Sequence, residues 1–137
     1  MTALLPLLAG FVLALVLVAW TRRMSPARAM RVYATGLVIA ALIYVAFALA
    51  GGAGAKNLAI EGAGLLLYGG AAWIGLRYWP PAIALGWAAH VAWDVLLHLG
   101  GAGGAYTPEF YPWMCVSFDL VLAAALLMQT SSKISRA

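Results

Sequence analysis

Apolar residues run along this chain in long, nearly unbroken blocks, and the polar positions fall into two groups: those between blocks and those inside them. Five blocks are long enough to cross roughly 30 Å of hydrocarbon at about 1.5 Å per helical residue. They predict helices near residues 3–20, 32–50, 57–76, 81–100 and 112–130. The connections are short, and Pro80-Pro81 suits the start of the fourth helix. The exception is residues 101–111, where Gly101, Gly103 and Gly104 lead into Tyr106-Thr107-Pro108-Glu109-Phe110-Tyr111. This segment has no basic residue and several aromatics, which suits an anchor at headgroup level or a lid over a site that opens outward.

Composition agrees with the pattern. Of 137 residues, 66% are hydrophobic and 9% charged, more apolar surface than a soluble domain of this size needs. The prediction is an all-α, polytopic membrane bundle of five transmembrane helices, forming one domain over residues 1–137. The first block has no basic residue ahead of it, and Arg22 and Arg23 follow it, so it reads as a retained span rather than a cleaved leader. Arg22, Arg23, Arg28, Arg31, Arg77, Lys133 and Arg136 fall on one side of the predicted topology, and only Lys56 on the other. The positive-inside rule makes that side cytoplasmic, with the N-terminus outside and the C-terminus inside a cell's inner (plasma) membrane. The basic residues lack interleaved aromatics, which argues against nucleic acid as a partner. Cys115 is the single cysteine, so no intrachain disulfide forms. Gly62, Gly64, Gly69, Gly70 and Gly75, with Ala82, Ala84, Gly86, Ala88 and Ala89, predict close packing of helices three and four. Helix one, almost wholly Leu, Val and Ala, is expected to face lipid. Membrane lipids are the expected surroundings, and so small a bundle is compatible with a homo-oligomer.

The polar positions inside blocks carry the chemistry. His90, Asp94 and His98 recur every four residues, a step that drifts only about 40° around a helix, so they share one stripe. Glu61 lies roughly 6 Å below the outer end of its helix, Asp94 roughly 9 Å and Asp119 roughly 10 Å. Three helices thus bring a carboxylate to the same outer slab, with two histidines beside them. A single buried histidine or Asp–His pair commonly does no more than hold helices together. Five ionisable groups at matching depth go beyond that, given the cost of inserting each one.

Three chemistries use such a set. Imidazoles and carboxylates are ligands for a divalent metal such as zinc, iron or manganese, with Asp94, His98, Glu61 and Asp119 as the candidate ligands. His90 and His98 are about 12 Å apart along the axis, so Asp94 and His98 would be the ligating pair, Glu61 and Asp119 their cross-helix partners, and His90 the group that orients a ligand or carries protons. The same five residues, Glu61, His90, Asp94, His98 and Asp119, could instead perform metal-free acid–base catalysis on an apolar substrate. Tyr68, Trp73, Trp87, Trp93 and Trp113 would then line the substrate, the indole faces able to stabilise a cationic intermediate. This describes an isomerase or cyclase of lipids or isoprenoids, or, with a metal, a hydrolase. Transport or binding of protons or a metal ion is the competing use, and a non-catalytic assembly partner is the third. Cys115, one turn before Asp119, could face the same pocket or act as a small hydrophobe. Ser117 and Gln129 read as helix hydrogen-bond partners.

The run His90-Val91-Ala92-Trp93-Asp94-Val95-Leu96-Leu97-His98 is followed, after a Gly/Pro loop, by Tyr111-Pro112-Trp113-Met114-Cys115-Val116-Ser117-Phe118-Asp119. Together they resemble an uncharacterised family of small bacterial integral membrane proteins with a His-x-x-Trp-Asp stretch, a later histidine and a Tyr-Pro…Phe-Asp segment. The resemblance implies that His90, Trp93, Asp94, His98 and Asp119 belong to one motif. It implies no activity, because that family's function is undefined. Likeness to the sterol-isomerase-like membrane fold extends to residue types alone and is analogy.

Overall fold

The computed structural model describes residues 3–134, with side chains up to residue 130; the Lys133 side chain and Arg136 lie outside the described residues. Five helices follow one another: α1 (Leu4–Thr21), α2 (Pro26–Ala50), α3 (Ala55–Arg77), α4 (Pro81–Trp93) and α5 (Phe110–Ile134). A π-helical turn (Asp94–Leu99) extends α4, and a short 3-10 turn (Ala102–Ala105) precedes α5. With the π turn added to α4, all five are long and apolar enough to span a membrane. The chain is a multi-pass membrane protein.

Helix starts follow local chemistry. Pro26 and Pro81 sit at first helical positions, where a missing N–H costs nothing. α2 therefore begins well before residue 32, and Arg28 and Arg31 project from its first turns instead of from a loop. They remain at the same end of the bundle as Arg22 and Arg23.

α4 occupies the middle. Ala82, Ile83, Ala84, Gly86, Trp87 and His90 are all buried, and Ile83, Ala84 and Trp87 join Leu37 and Ala41 of α2, Tyr68 and Ala72 of α3, and Leu122 and Leu126 of α5 in one apolar core. That core fills the half of the bundle nearer the basic loops. The other half, toward residues 101–111, is where the buried ionisable groups collect.

One packing expectation is refined and a second is corrected. α1 exposes Leu5, Leu8 and Val16 but is not featureless, since Pro6, Gly10, Ala14, Val18 and Thr21 form a buried stripe. Through that stripe it lies along α5, and Ser117 Oγ donates to the Leu7 carbonyl at 2.7 Å. Nor are α3 and α4 the tightest pair: α1 with α5, α2 with α3 and α4 with α5 share more extensive interfaces. Only part of the small-residue surface of α3 faces α4, and Gly62, Gly69 and Gly70 face open space. Gly64 does permit a close approach, because a Cβ there would come within 2.7 Å of the Trp93 ring.

Candidate functional site

Glu61, His90, Asp94, His98 and Asp119 are all buried, and all lie in the half of the bundle capped by residues 101–111. Helix periodicity placed His90, Asp94 and His98 on one stripe, with Asp94 and His98 as the natural pair. The structure divides the five residues differently, into two groups.

The first group is built on Glu61 of α3. Its Oε1 lies 3.0 Å from His98 Nε2 and accepts from the Tyr106 hydroxyl at 2.5 Å. Its Oε2 accepts from the Trp93 indole N–H at 3.3 Å. Both carboxylate oxygens are satisfied. Tyr106 comes from the connection before α5, which folds inward, and burial together with the Glu61 carboxylate raises its hydroxyl above the ordinary tyrosine value. It therefore stays a neutral donor at physiological pH. Gly103 lets the connection pass closely over His98, since a Cβ there would meet His98 Cδ2 at 2.7 Å. Of the two readings of residues 101–111, the covering one matches what the segment does: Tyr106 and Thr107 are buried over the site.

The second group is built on His90 of α4. Its Nδ1 hydrogen-bonds to Asp119 Oδ2 of α5 at 2.7 Å and lies 3.6 Å from Asp94 Oδ2. Asp94 Oδ1 accepts from the Tyr44 hydroxyl of α2 at 2.7 Å. One candidate ligand atom from each of His90, Asp94 and Asp119 lies within 4.8 Å of the others. His90 Nε2, Asp94 Oδ2 and Asp119 Oδ1 are buried and have no hydrogen-bond partner. Three such atoms in one group are unusual, because buried polar atoms are nearly always paired.

The π turn explains the split. Gly100 N–H donates to the Val95 carbonyl five residues back, the mark of a widened turn. Widening between Asp94 and His98 swings the second imidazole around the axis, out of line with Asp94 and toward Glu61. The group close enough to share a metal ion is thus His90, Asp94 and Asp119, while Glu61 and His98 pair with each other.

Tyr44 joins the groups. Its hydroxyl is on Asp94 and its ring stacks on His98, with centroids 3.7 Å apart and planes 23° from parallel. Sequence reading missed it: a tyrosine in an apolar block has no periodic partner, and its role depends on which helix lies opposite. Tyr106 was seen only as part of an aromatic loop.

The aromatic residues proposed to line a substrate divide likewise. Tyr68 is edge-on to His90 at 4.9 Å and donates to the Ala89 carbonyl at 3.3 Å. Trp87 is edge-on to His90 at 6.5 Å, and Trp93 holds Glu61. Trp73 is 56% exposed and packs edge-on against Tyr78, because five residues from Tyr68 turn it about 140° around α3. Trp113 is half-buried, two positions and about 200° from Cys115, on a different face of α5. Neither reaches the ionisable groups. Cys115 is buried one turn from Asp119.

No curated protein and no solved structure matches the chain. The sequence profile of a family of unknown function, DUF6010, matches residues 1–132, nearly the whole length and not only the stretch around His90 and Asp119, and the chain belongs to that family.

Proposed function

We propose that this chain is a membrane enzyme acting on a lipid-like substrate, with His90, Asp94 and Asp119 as its reacting centre and a divalent metal ion held among them. A charge count supports the reading. One imidazole offsets at most one of the two carboxylates beside it, so with both ionised the group carries a surplus negative charge where side chains are no more than 1% exposed, and either a proton or a metal cation must offset it. Buried charge without a counter-ion is costly, and a cation relieves it. Zinc, iron or manganese suits one imidazole and two carboxylates, with positions left open for substrate. Bound there, the ion would supply Lewis acidity.

The protein's own residues prepare the place. Tyr44 holds Asp94 Oδ1, leaving Oδ2 turned to the group. The Glu61–His98 pair, roofed by Tyr106, keeps water from the loop side. The 2.7 Å bond between His90 and Asp119 favours one variant of the reading, in which the cation is a proton that these two exchange with substrate. The distribution of Arg and Lys supports an N-out, C-in arrangement in the inner (plasma) membrane, and the exposed apolar side chains suit lipids or a second copy of the chain as neighbours.

Metal content of the purified protein, measured by mass spectrometry, tests this. One ion per chain is expected in the wild type, lost in His90→Ala and Asp119→Asn and kept in His98→Ala. Wild-type protein free of metal would overturn the metal version and leave proton chemistry. Loss of the ion in His98→Ala as strongly as in His90→Ala would put the centre elsewhere.

A further inference from the structure

We infer that the groove among α1, α2 and α5 binds a single-chain lipid with a neutral hydroxyl group, the hydroxyl turned inward to Asp119 and Trp87. The inference rests on reading His90, Asp94 and Asp119 as a reacting centre, and it names the substrate class that such a centre would take.

The groove arises from how the helices pair. α1 lies on α5 and α2 on α3, so α1 and α2 touch little along their length. Their seam leaves a cavity of about 240 Å³ walled by Leu13 and Leu17, Ile39 and Ile43, and Met114 and Phe118. Leu13 and Ile39 are about half exposed, at 51% and 50%, so the cavity opens sideways onto the apolar surface that meets lipid. At about 240 Å³ it is smaller than the roughly 300–1,000 Å³ of pockets for drug-sized ligands, which suits the head and first carbons of one chain with the rest lying along the open side.

Four residues with polar atoms also line the cavity: Tyr111 and Cys115, which hydrogen-bond to each other, and Trp87 and Asp119, each 1% exposed. Trp87 Nε1 and Asp119 Oδ1 both lack a hydrogen-bond partner. One is a donor and the other an acceptor. A hydroxyl satisfies both, since its O–H donates to the carboxylate while its oxygen accepts from the indole. A carboxylate-headed lipid meets like charge at Asp119. An amine leaves the indole N–H without an acceptor, a ketone gives Asp119 no donor, and a hydrocarbon serves neither. Leaving a buried polar atom unmade is the costly outcome, and this decides among head groups. The groove between α3 and α4 has no buried, unpartnered acceptor: Tyr68 already donates to Ala89, and Trp79, the other polar lining residue, is half exposed and offers only a donor.

The test uses the full chain, one copy per lipid nanodisc, and a long-chain primary alcohol with a mid-chain diazirine. The matched methyl ether and carboxylic acid serve as comparisons, with labelled positions mapped by peptide mass spectrometry. The alcohol is expected to label saturably around Leu13, Ile43 and Met114, and the ether roughly five-fold less, the worth of one hydrogen bond. The acid should label less still. Trp87→Phe, which keeps the ring and removes the donor, should bring the alcohol down toward the ether, with labelling at Leu66 and Leu67 unchanged. Equal labelling by alcohol and ether in the wild type overturns the inference without any variant. So does label spread evenly between the groove and the Leu66–Leu67 face, or label lost when discs hold two copies, which would assign the groove to a second chain. Metal content of the same discs separates the two readings. Alcohol-selective label without metal sinks the metal centre alone, and metal with unselective label sinks this inference alone.

Discussion

Around Glu61 each carboxylate oxygen has a donor, one histidine stands against one carboxylate, and one atom, His98 Nδ1, is buried without a partner. Around His90, one histidine stands against two carboxylates, and three polar atoms have no partner. The two groups share residue types, burial and a stretch of helix. They differ in stoichiometry and satisfaction. A one-to-one pair whose carboxylate is fully bonded holds elements in register and loses much when broken, whereas a group with two carboxylates to one imidazole, and an unbonded oxygen on each carboxylate, is ready for a further ligand. The Glu61 group is therefore read as the one that positions α3, α4 and the covering connection, and the His90 group as the one that reacts.

Substitutions sharpen this contrast. Glu61→Ala strands His98, Tyr106 and Trp93 together, and thermal unfolding in detergent is expected to show a loss of about 3–5 kcal/mol. A loss below about 1 kcal/mol would make the Glu61 group no more structural than the other. Tyr44→Phe keeps the ring against His98 but removes the donor on Asp94, and a hydrogen bond to a charged group sets the expected loss at about 1.5–3 kcal/mol. The same measurement on Tyr106→Phe should show about 1 kcal/mol, because Glu61 keeps His98 and Trp93. In chelator-treated protein, Asp119→Asn should move stability least, within about 1 kcal/mol, since with no ion bound it removes surplus charge from a buried cluster while keeping shape. If Asp119→Asn proved as damaging as Glu61→Ala, the two groups would be alike and the contrast would fail.

Much of the site was legible along the chain. Glu61, His90, Asp94, His98 and Asp119 stood out because each interrupts an apolar block, and their matching depths anticipated that they meet. Their partners were not legible. Pairing Asp94 with His98 assumed a regular α-helix, and a π turn between them moved the imidazole to Glu61. Trp73 and Trp113 looked like pocket aromatics by type, yet helix rotation turns both away. Tyr44 had no signal of its own, since the two residues it links, Asp94 and His98, lie about fifty positions later.

What the amino-acid order settled alone is the set of five spans and the titratable residues within them, because span length and insertion cost are properties of each segment in lipid. The tertiary structure decided which histidine faces which carboxylate, that a tyrosine from α2 joins the two groups, and that an apolar groove ends at Asp119. These depend on helix rotation, on one widened turn and on which helices lie side by side, and all three are set by packing between segments distant in the chain.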